Sequence, residues 1–408
     1  MEILKSHRYR LDLPMAGQEF CSRTAGICRF VWNLALEQRS LAWKQGRRFV
    51  SYNAQASELA ELKTFAPWIA AVPHHCLQQR LRDLDRAFQN FFAGRAAYPS
   101  FHKKFKRDSF RFPDPRQFRV DENGQRVKLP KLGWVRFQNG KGCHALKLSG
   151  TPKSVTVSRE GKHWFASVLC ESEIPEPLPL LAPAVGVDLG VAQAITLSTG
   201  KVLAVLGRTQ AEDRRLARLQ RALQRKRKGS RNRSKARTRL AEFQACIARR
   251  RHDAIHKATT ILAKNHGLVV VEDLRVKDMT TSAKGTIDTP GRNVRQKAGL
   301  NRAILNQGFG EIRRQLEYKC RWYGSRLVAV NPAYTSQACS ACGHTEARNR
   351  MSQAKFCCLV CGHAENADTN AAKNILATGQ AVRAEEVSSA SACGGKPSGA
   401  RRSRKGVA

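Results

Sequence analysis

The chain has 408 residues, enough for two or three domains, and its 72 Lys and Arg against 32 Asp and Glu leave a formal charge of +40. A charge that one-sided repels itself unless a polyanion accompanies the fold, so nucleic acid is the expected partner. No run of about 18 apolar residues exists, which excludes a membrane span, and the opening MEILKSHRYRLDLP lacks the apolar centre of a signal peptide. Thirteen cysteines without an export signal point to a reducing compartment and exclude a disulfide framework.

Residues 1 to 14 are expected to form one extended strand ending at Pro14. From 17 to 98 the pattern is helical, with one stripe of Ile27, Phe30, Val31 and Leu34 and another of Leu77, Leu81, Leu84 and Phe88. From 99 to 172 it turns strand-like, and TVSREGKHWFASVLC predicts a hairpin turning at Glu160-Gly161. The run YPSFHKKFKRDSFRF interleaves rings with Lys and Arg. That composition suits backbone contact with base stacking, and equally suits a basic sheet surface whose rings are core. EIPEPLPLLAP, residues 173 to 183, holds four prolines and predicts an inter-domain linker.

After the linker AVGVDLG, QAITLST and KVLAVL predict three short strands in succession, with a turn at Thr199-Gly200. Residues 210 to 265 predict a helical hairpin turning at KGSRNRSK, with Leu216, Leu219 and Leu223 on one helix and Leu240, Phe243 and Ile247 on the other. Residues 208 to 251 carry 17 Lys and Arg against three acids, an excess that favours a phosphate-facing surface. LVVVEDL predicts a buried strand, followed by a polar loop over 276 to 300, a helix over 302 to 322, and the strand RLVAVNP. Beyond about 380 the Ser, Ala, Gly and Arg composition predicts a disordered basic tail.

Two of these apolar strands carry acids where a hydrophobe is expected. In AVGVDLG, Val185, Val187 and Leu189 share one face, with Gly186 and Asp188 on the other; in LVVVEDL, Glu272 shares a face with Val270, opposite Asp273. An acid in a buried strand is costly unless something binds it, although each alone could be a strand-end acid turning to solvent. The order of three strands, a helix, then further strands and helices is that of an α/β fold of the RNase H-like type. That fold brings an acid of the first strand, an acid of the fourth and an acid of a late helix to one point. Three carboxylates there repel, each pair costing about 4 kcal/mol at ~4 Å and an effective dielectric near 20. Mg²⁺ removes that cost, and two such ions about 4 Å apart would activate water and stabilise the leaving oxygen of a phosphodiester. Asp368, in the short helix ADTNAAKNI, is the third candidate. Asn366 is the better N-cap, which leaves Asp368 on the face shared by Ala371, Ala372 and Ile375.

CSACGH at 339 to 344 and CLVCGH at 358 to 363 are two copies of C-x-x-C-G-H, with fifteen residues between Cys342 and Cys358. Four thiolates, Cys339, Cys342, Cys358 and Cys361, suit a closed structural Zn²⁺ site. The internal match selects Cys358 rather than Cys357, and His344 and His363 are expected outside the ligand set.

VGVDLG, VVVEDL, NPAYTSQACSACGH, FCCLVCGH and ADTNAAKNI, in this order, resemble the TnpB (OrfB) proteins of insertion sequences, relatives of the type V CRISPR effector nucleases. The resemblance runs to about residue 378. It implies a β-barrel-like wedge domain over 1–16 and 99–172 with a helical recognition domain, 17–98, inserted. It further implies a RuvC-like nuclease domain over 184–330 and 368–379 and a zinc-ribbon insertion over 331–367. By the same resemblance Asp188, Glu272 and Asp368 are the catalytic, magnesium-binding acids (Mn²⁺ being an alternative ion), and the four cysteines hold zinc. The implied activity is RNA-guided DNA cleavage, with a guide RNA from the transposon end, double- and single-stranded DNA as target, and a monomer on the RNA in the bacterial cytoplasm, by the nucleoid. Strand transfer by a transposase and a non-catalytic nucleic-acid-binding regulator are the rival readings.

Overall fold

The computed structural model describes residues 1–46, 48–104, 108–121, 123, 125–138, 148–204, 207–286 and 288–392. They divide into two units, Met1–Glu176 with Leu219–Ala245, and Pro177–Arg218 with Cys246–Ala408. The division falls within the expected proline-rich linker. It also assigns the tip of the helical hairpin to the first unit, where Lys162 Nζ lies 3.2 Å from a Glu242 carboxylate oxygen.

In the first unit β1 (Glu2–Asp12) is followed by four helices, α1 (Met15–Gly46), α2 (Tyr52–Phe65), α3 (Pro67–Ala70) and α4 (His74–Phe92). Six strands follow: β2 (Ser109–Phe112), β3 (Arg119–Val120), β4 (Arg126–Leu129), β5 (Gly133–Phe137), β6 (Thr151–Glu160) and β7 (His163–Glu173). They join β1 in a seven-stranded antiparallel sheet ordered β2-β6-β7-β1-β5-β4-β3, so the first strand of the chain is clasped at its centre. Helices and sheet share one core, in which Leu77, Leu84, Phe110 and Val155 are all fully buried. The stripe on α4 is buried as expected, but on α1 only Ile27 and Val31 are; Phe30 and Leu34 face outward, and Phe30 packs edge-on against Trp68. The buried side of α1 instead passes through Cys21, Cys28, Val31, Ala35 and Leu36, where the small Cys and Ala side chains let the helix lie close. The predicted hairpin is present one residue later, because Glu160 pairs with His163 and Gly161, at φ 61°, takes the left-handed position. The basic aromatic run divides. Phe110 and Phe112 are core, whereas Tyr98 and Phe101 are about half exposed and 105–107 lie outside the described residues.

In the second unit β8 (Ala184–Asp188), β9 (Ile195–Leu197) and β10 (Val202–Leu203) are antiparallel neighbours. The helices α5 (Gln210–Gln224) and α6 (Arg231–Asn265) follow as expected, then β11 (Leu268–Glu272). The predicted polar loop and single helix resolve into α7 (Val276–Met279), α8 (Val294–Gln307) and α9 (Phe309–Tyr323). The break comes at Gly308, whose φ of 77° closes α8 and opens α9. Then come β12 (Arg326–Val330), a two-stranded ribbon of β13 (Lys355–Cys357) and β14 (Ala364–Asn366), and α10 (Ala367–Ala392). The five-stranded sheet runs β10-β9-β8-β11-β12, with β8, β11 and β12 parallel. β11 is buried on both faces, as a central parallel strand requires. Val185, Val187, Val269 and Val271 pack against α6 and α9 through Ile255, Leu262, Ile312 and Leu316, while Leu268, Val270, Val328 and Val330 pack on the other face against Ile375 of α10. α10 continues to Ala392, which corrects the expectation of disorder from 380. Residues 393–408 lie outside the described residues. No helix among the described residues is long and apolar enough to cross a membrane.

Candidate acid and cysteine site

Asp188 is the last residue of β8 and Glu272 the last residue of β11, and these strands are parallel neighbours in the register Val187 to Val271. The two carboxylates therefore leave the sheet side by side at its carboxyl edge, the edge where open α/β sheets bind ligands. Alternation turns both toward α10, while Asp273 points away and lies 3.8 Å from Arg313. The local sequence explains the geometry. Gly186 faces α10, and a Cβ there would come within 2.0 Å of the Ala372 carbonyl oxygen, so only glycine lets the helix this close to the strand. Ala371, Ala372 and Ile375 fill the contact, and Asp368, one turn earlier on the same side, is only 8% exposed.

Asn366 caps α10 as expected, its Oδ1 accepting from the amides of Asp368 and Thr369 at 3.0 and 3.2 Å. Burial is the first cause of a raised pKa at all three acids. Asp188 is pushed up to about 7, by burial and then by the charges of Glu272 and Asp368. Arg350 opposes the shift at Asp188 and at Asp368, and Thr335 Oγ1 opposes it at Glu272 by donating to Oε1 at 2.6 Å.

The four predicted cysteines converge, with their sulfurs within 4.8 Å of one another. Cys339 and Cys361 are 3.7 Å apart and Cys342 and Cys358 3.6 Å. Thiolates held tetrahedrally 2.3 Å from one ion have edges of about 3.8 Å, so the cage fits a tetrahedral metal ion. The three carboxylates do not close this tightly. The two C-x-x-C-G-H copies fold alike: the amides of Cys339 and Cys358 donate to the carbonyls of His344 and His363, and those of Gly343 and Gly362 to Cys339 and Cys358. The backbone amides of Cys361 and then Val360, working against burial, lower the pKa of Cys358 and so favour its thiolate, the form that ligates a cation. Cys357 stays outside the cage, and His344 and His363 lie 3.4 and 3.5 Å from Glu346 and Glu365 instead.

Three positions escape a sequence reading. Asn370, fully buried, accepts from the amide of Ser340 at 2.9 Å and donates to Ala338 O at 2.8 Å; Asn374 donates to Ala338 O and Thr335 O. These bonds tie α10 to the loop that carries the first two cysteines. Arg350, between the two cysteine pairs, donates to Asp368 Oδ1 at 3.3 Å. Two asparagines in an alanine-rich helix were a visible signal, but Arg350 had none in its polar surroundings.

Comparison with known proteins agrees with this architecture. Residues 167–283 match the IS605 OrfB family described as "Probable transposase", residues 309–375 the Cas12f1-like TNB domain, and residues 1–48 the IS605 OrfB helix-turn-helix domain. In the structure that last segment holds β1 and the single helix α1. The chain is 46% identical over 380 residues to the Escherichia coli (strain K12) protein named "Putative RNA-guided DNA endonuclease InsQ", covering 92% of this chain and 93% of that one. It is 37% identical over 406 residues to a similarly named Streptomyces pristinaespiralis protein, covering 96% and 92%. The fold is similar to that of the protein in the cryo-EM structure of a Cas12f1-sgRNA-target DNA complex, at TM-score 0.51 and 14% identity over 92% of this chain and 98% of that one. With 46% identity to the Escherichia coli protein over nearly its whole length, the chain belongs to the IS605 OrfB (TnpB) family.

Proposed function

We propose that this protein is an RNA-guided DNA endonuclease, a hydrolase of phosphodiester bonds, and that Asp188, Glu272 and Asp368 are its catalytic acids on an RNase H-like, RuvC-type domain. The observation that carries the reading is the convergence of an acid from each of two adjacent parallel strands with an acid of the helix packed against them. The strand order of the five-stranded sheet and the names of the two full-length relatives support it.

The acid set offers only carboxylate oxygens, the donors Mg²⁺ prefers, and its repulsion at Asp188 is the kind a divalent cation relieves. Bound there, Mg²⁺ would supply a lowered pKa for an attacking water and a counter-charge for the leaving oxygen. Asp188 and Glu272 would then act as ionised ligands from rigid strand ends. Thr335 holds Glu272 in one orientation, and Arg350 holds Asp368 and offers a guanidinium to a scissile phosphate. Cys339, Cys342, Cys358 and Cys361 would hold a structural Zn²⁺, which fixes the loop that Asn370 and Asn374 fasten to α10. The excess of 17 Lys and Arg over three acids in residues 208 to 251 would face nucleic-acid phosphate. The guide is read as RNA transcribed from the transposon end.

The test is to purify the protein from cells carrying its flanking element and sequence the RNA that comes with it. A matched duplex offered with Mg²⁺ should be cut. Bare protein that joins element ends without RNA would instead favour strand transfer.

A further inference from the structure

We propose that His252 and His256 of α6 with Glu311 of α9 form a transition-metal site, separate from the acids and from the cysteine cage. One ligand atom from each lies within 4.8 Å of the other two, the only such group besides the four cysteines among the described residues. His252 and His256 stand one helical turn apart, with ring centroids 4.4 Å from each other, the H-x-x-x-H spacing that presents two imidazoles to one ion. Glu311, in the first turn of α9, brings its Oε1 to 3.4 Å from His252 Nε2.

The two helices are held in this relation from below. Lys319, buried, donates to His256 O at 2.7 Å, Thr259 Oγ1 at 2.7 Å and Gln315 Oε1 at 3.2 Å, and Gln315 donates to Glu311 Oε1 at 2.8 Å. The ligand positions are therefore set by a hydrogen-bonded helix pair rather than by loops. Arg314 holds the Glu311 carboxyl below its ordinary range, and burial, then Lys319, hold the His256 imidazole below its own.

Two imidazoles and one carboxylate select Zn²⁺, Ni²⁺, Co²⁺ or Cu²⁺ over Mg²⁺. Two cations face the site. Arg314 pairs with both Glu311 oxygens at 2.6 and 2.9 Å but is 58% exposed, so it can turn aside. Lys319 cannot move and limits affinity. An incoming ion displaces Arg314, which also lines the cleft beside Glu272 with Phe309 and Arg313. Occupancy would thus change which cation faces that cleft.

The experiment titrates Ni²⁺ into the full-length, tag-free protein with its cysteine cage loaded with zinc, by calorimetry and by thermal melting. One Ni²⁺ per chain is expected, with a rise in melting temperature. His252→Ala should weaken that binding by at least about tenfold, since loss of even an outer partner of a ligand costs roughly 10- to 100-fold. His252 is over half exposed, so this variant should melt like the parent without Ni²⁺. Glu311→Gln should weaken uptake similarly. No Ni²⁺ uptake by the parent, or parent-like uptake by His252→Ala, would overturn the site. Neither outcome bears on the nuclease reading, because metal uptake is read without DNA.

Discussion

Arg350 Nη2 lies 3.3 Å from Asp368 Oδ1, so a guanidinium from the cysteine-bearing loop reaches the acid on the last helix. The same guanidinium lowers the pKa of Asp188 as well as that of Asp368. Arg350→Ala should therefore move the rise of DNA cleavage with pH to higher pH. We expect a loss of cleavage that is largest below pH 7 and partly recovered at pH 8.5. A loss equal at every pH would mean that Arg350 serves only the phosphate.

The raised pKa of Asp188 is also a statement about stability. Its folded value, about 7, lies above the ordinary carboxylate value, so the folded chain holds a proton that the unfolded chain has lost. Without divalent cations, stability should fall as pH rises from about 4 to about 7 and then level. Asp188→Asn should flatten that fall and raise stability at pH 8 by on the order of 2 kcal/mol, read from melting in chelator.

Gly186→Ala tests the contact that seats α10. Its new Cβ would meet the Ala372 carbonyl at 2.0 Å, and neither backbone can yield cheaply. A loss of about 2 kcal/mol or more in denaturant unfolding is expected. Gly299→Ala on α8, where nothing lies within 4 Å, should be neutral or stabilising.

Most of the acid and cysteine site could be read in advance because its signals are local. An aspartate closing a valine strand, a repeated C-x-x-C-G-H and an asparagine ahead of an alanine-rich turn each carry their meaning within a few residues. The parts that could not be read are tertiary. Arg350 contacts Asp368 across 18 residues of ribbon, and Thr335 reaches Glu272 across 63. The single helix expected over 302 to 322 proved to be the second of two because Gly308 takes φ 77°, a choice that helical periodicity does not reveal. On α1 the stripe was misjudged at Phe30 and Leu34 because the buried side runs through Cys21, Cys28, Trp32 and Ala35 beside Ile27, Val31 and Leu36, and hydropathy alone ranks Cys, Ala and Trp below Phe and Leu.

Cys357 and Cys358 are adjacent, but only Cys358 belongs to the cage. Cys358→Ser should release zinc, loosen the loop fastened by Asn370, and lower the melting temperature; Cys357→Ser should leave one zinc per chain. Metal analysis of the two purified variants separates them.

In the proposed catalytic set of Asp188, Glu272 and Asp368, the last comes from a different element, so its substitution is the sharpest test. Asp368→Asn keeps the shape of the side chain and the cap at Asn366. The measurement is cleavage of a guide-matched duplex in Mg²⁺ beside binding of the same duplex by the protein–RNA complex. We predict that binding is retained and cleavage falls by at least about 10²-fold, a loss of about 2.7 kcal/mol or more in transition-state stabilisation. Cleavage by Asp368→Asn at the parent rate would remove Asp368 from the catalytic set.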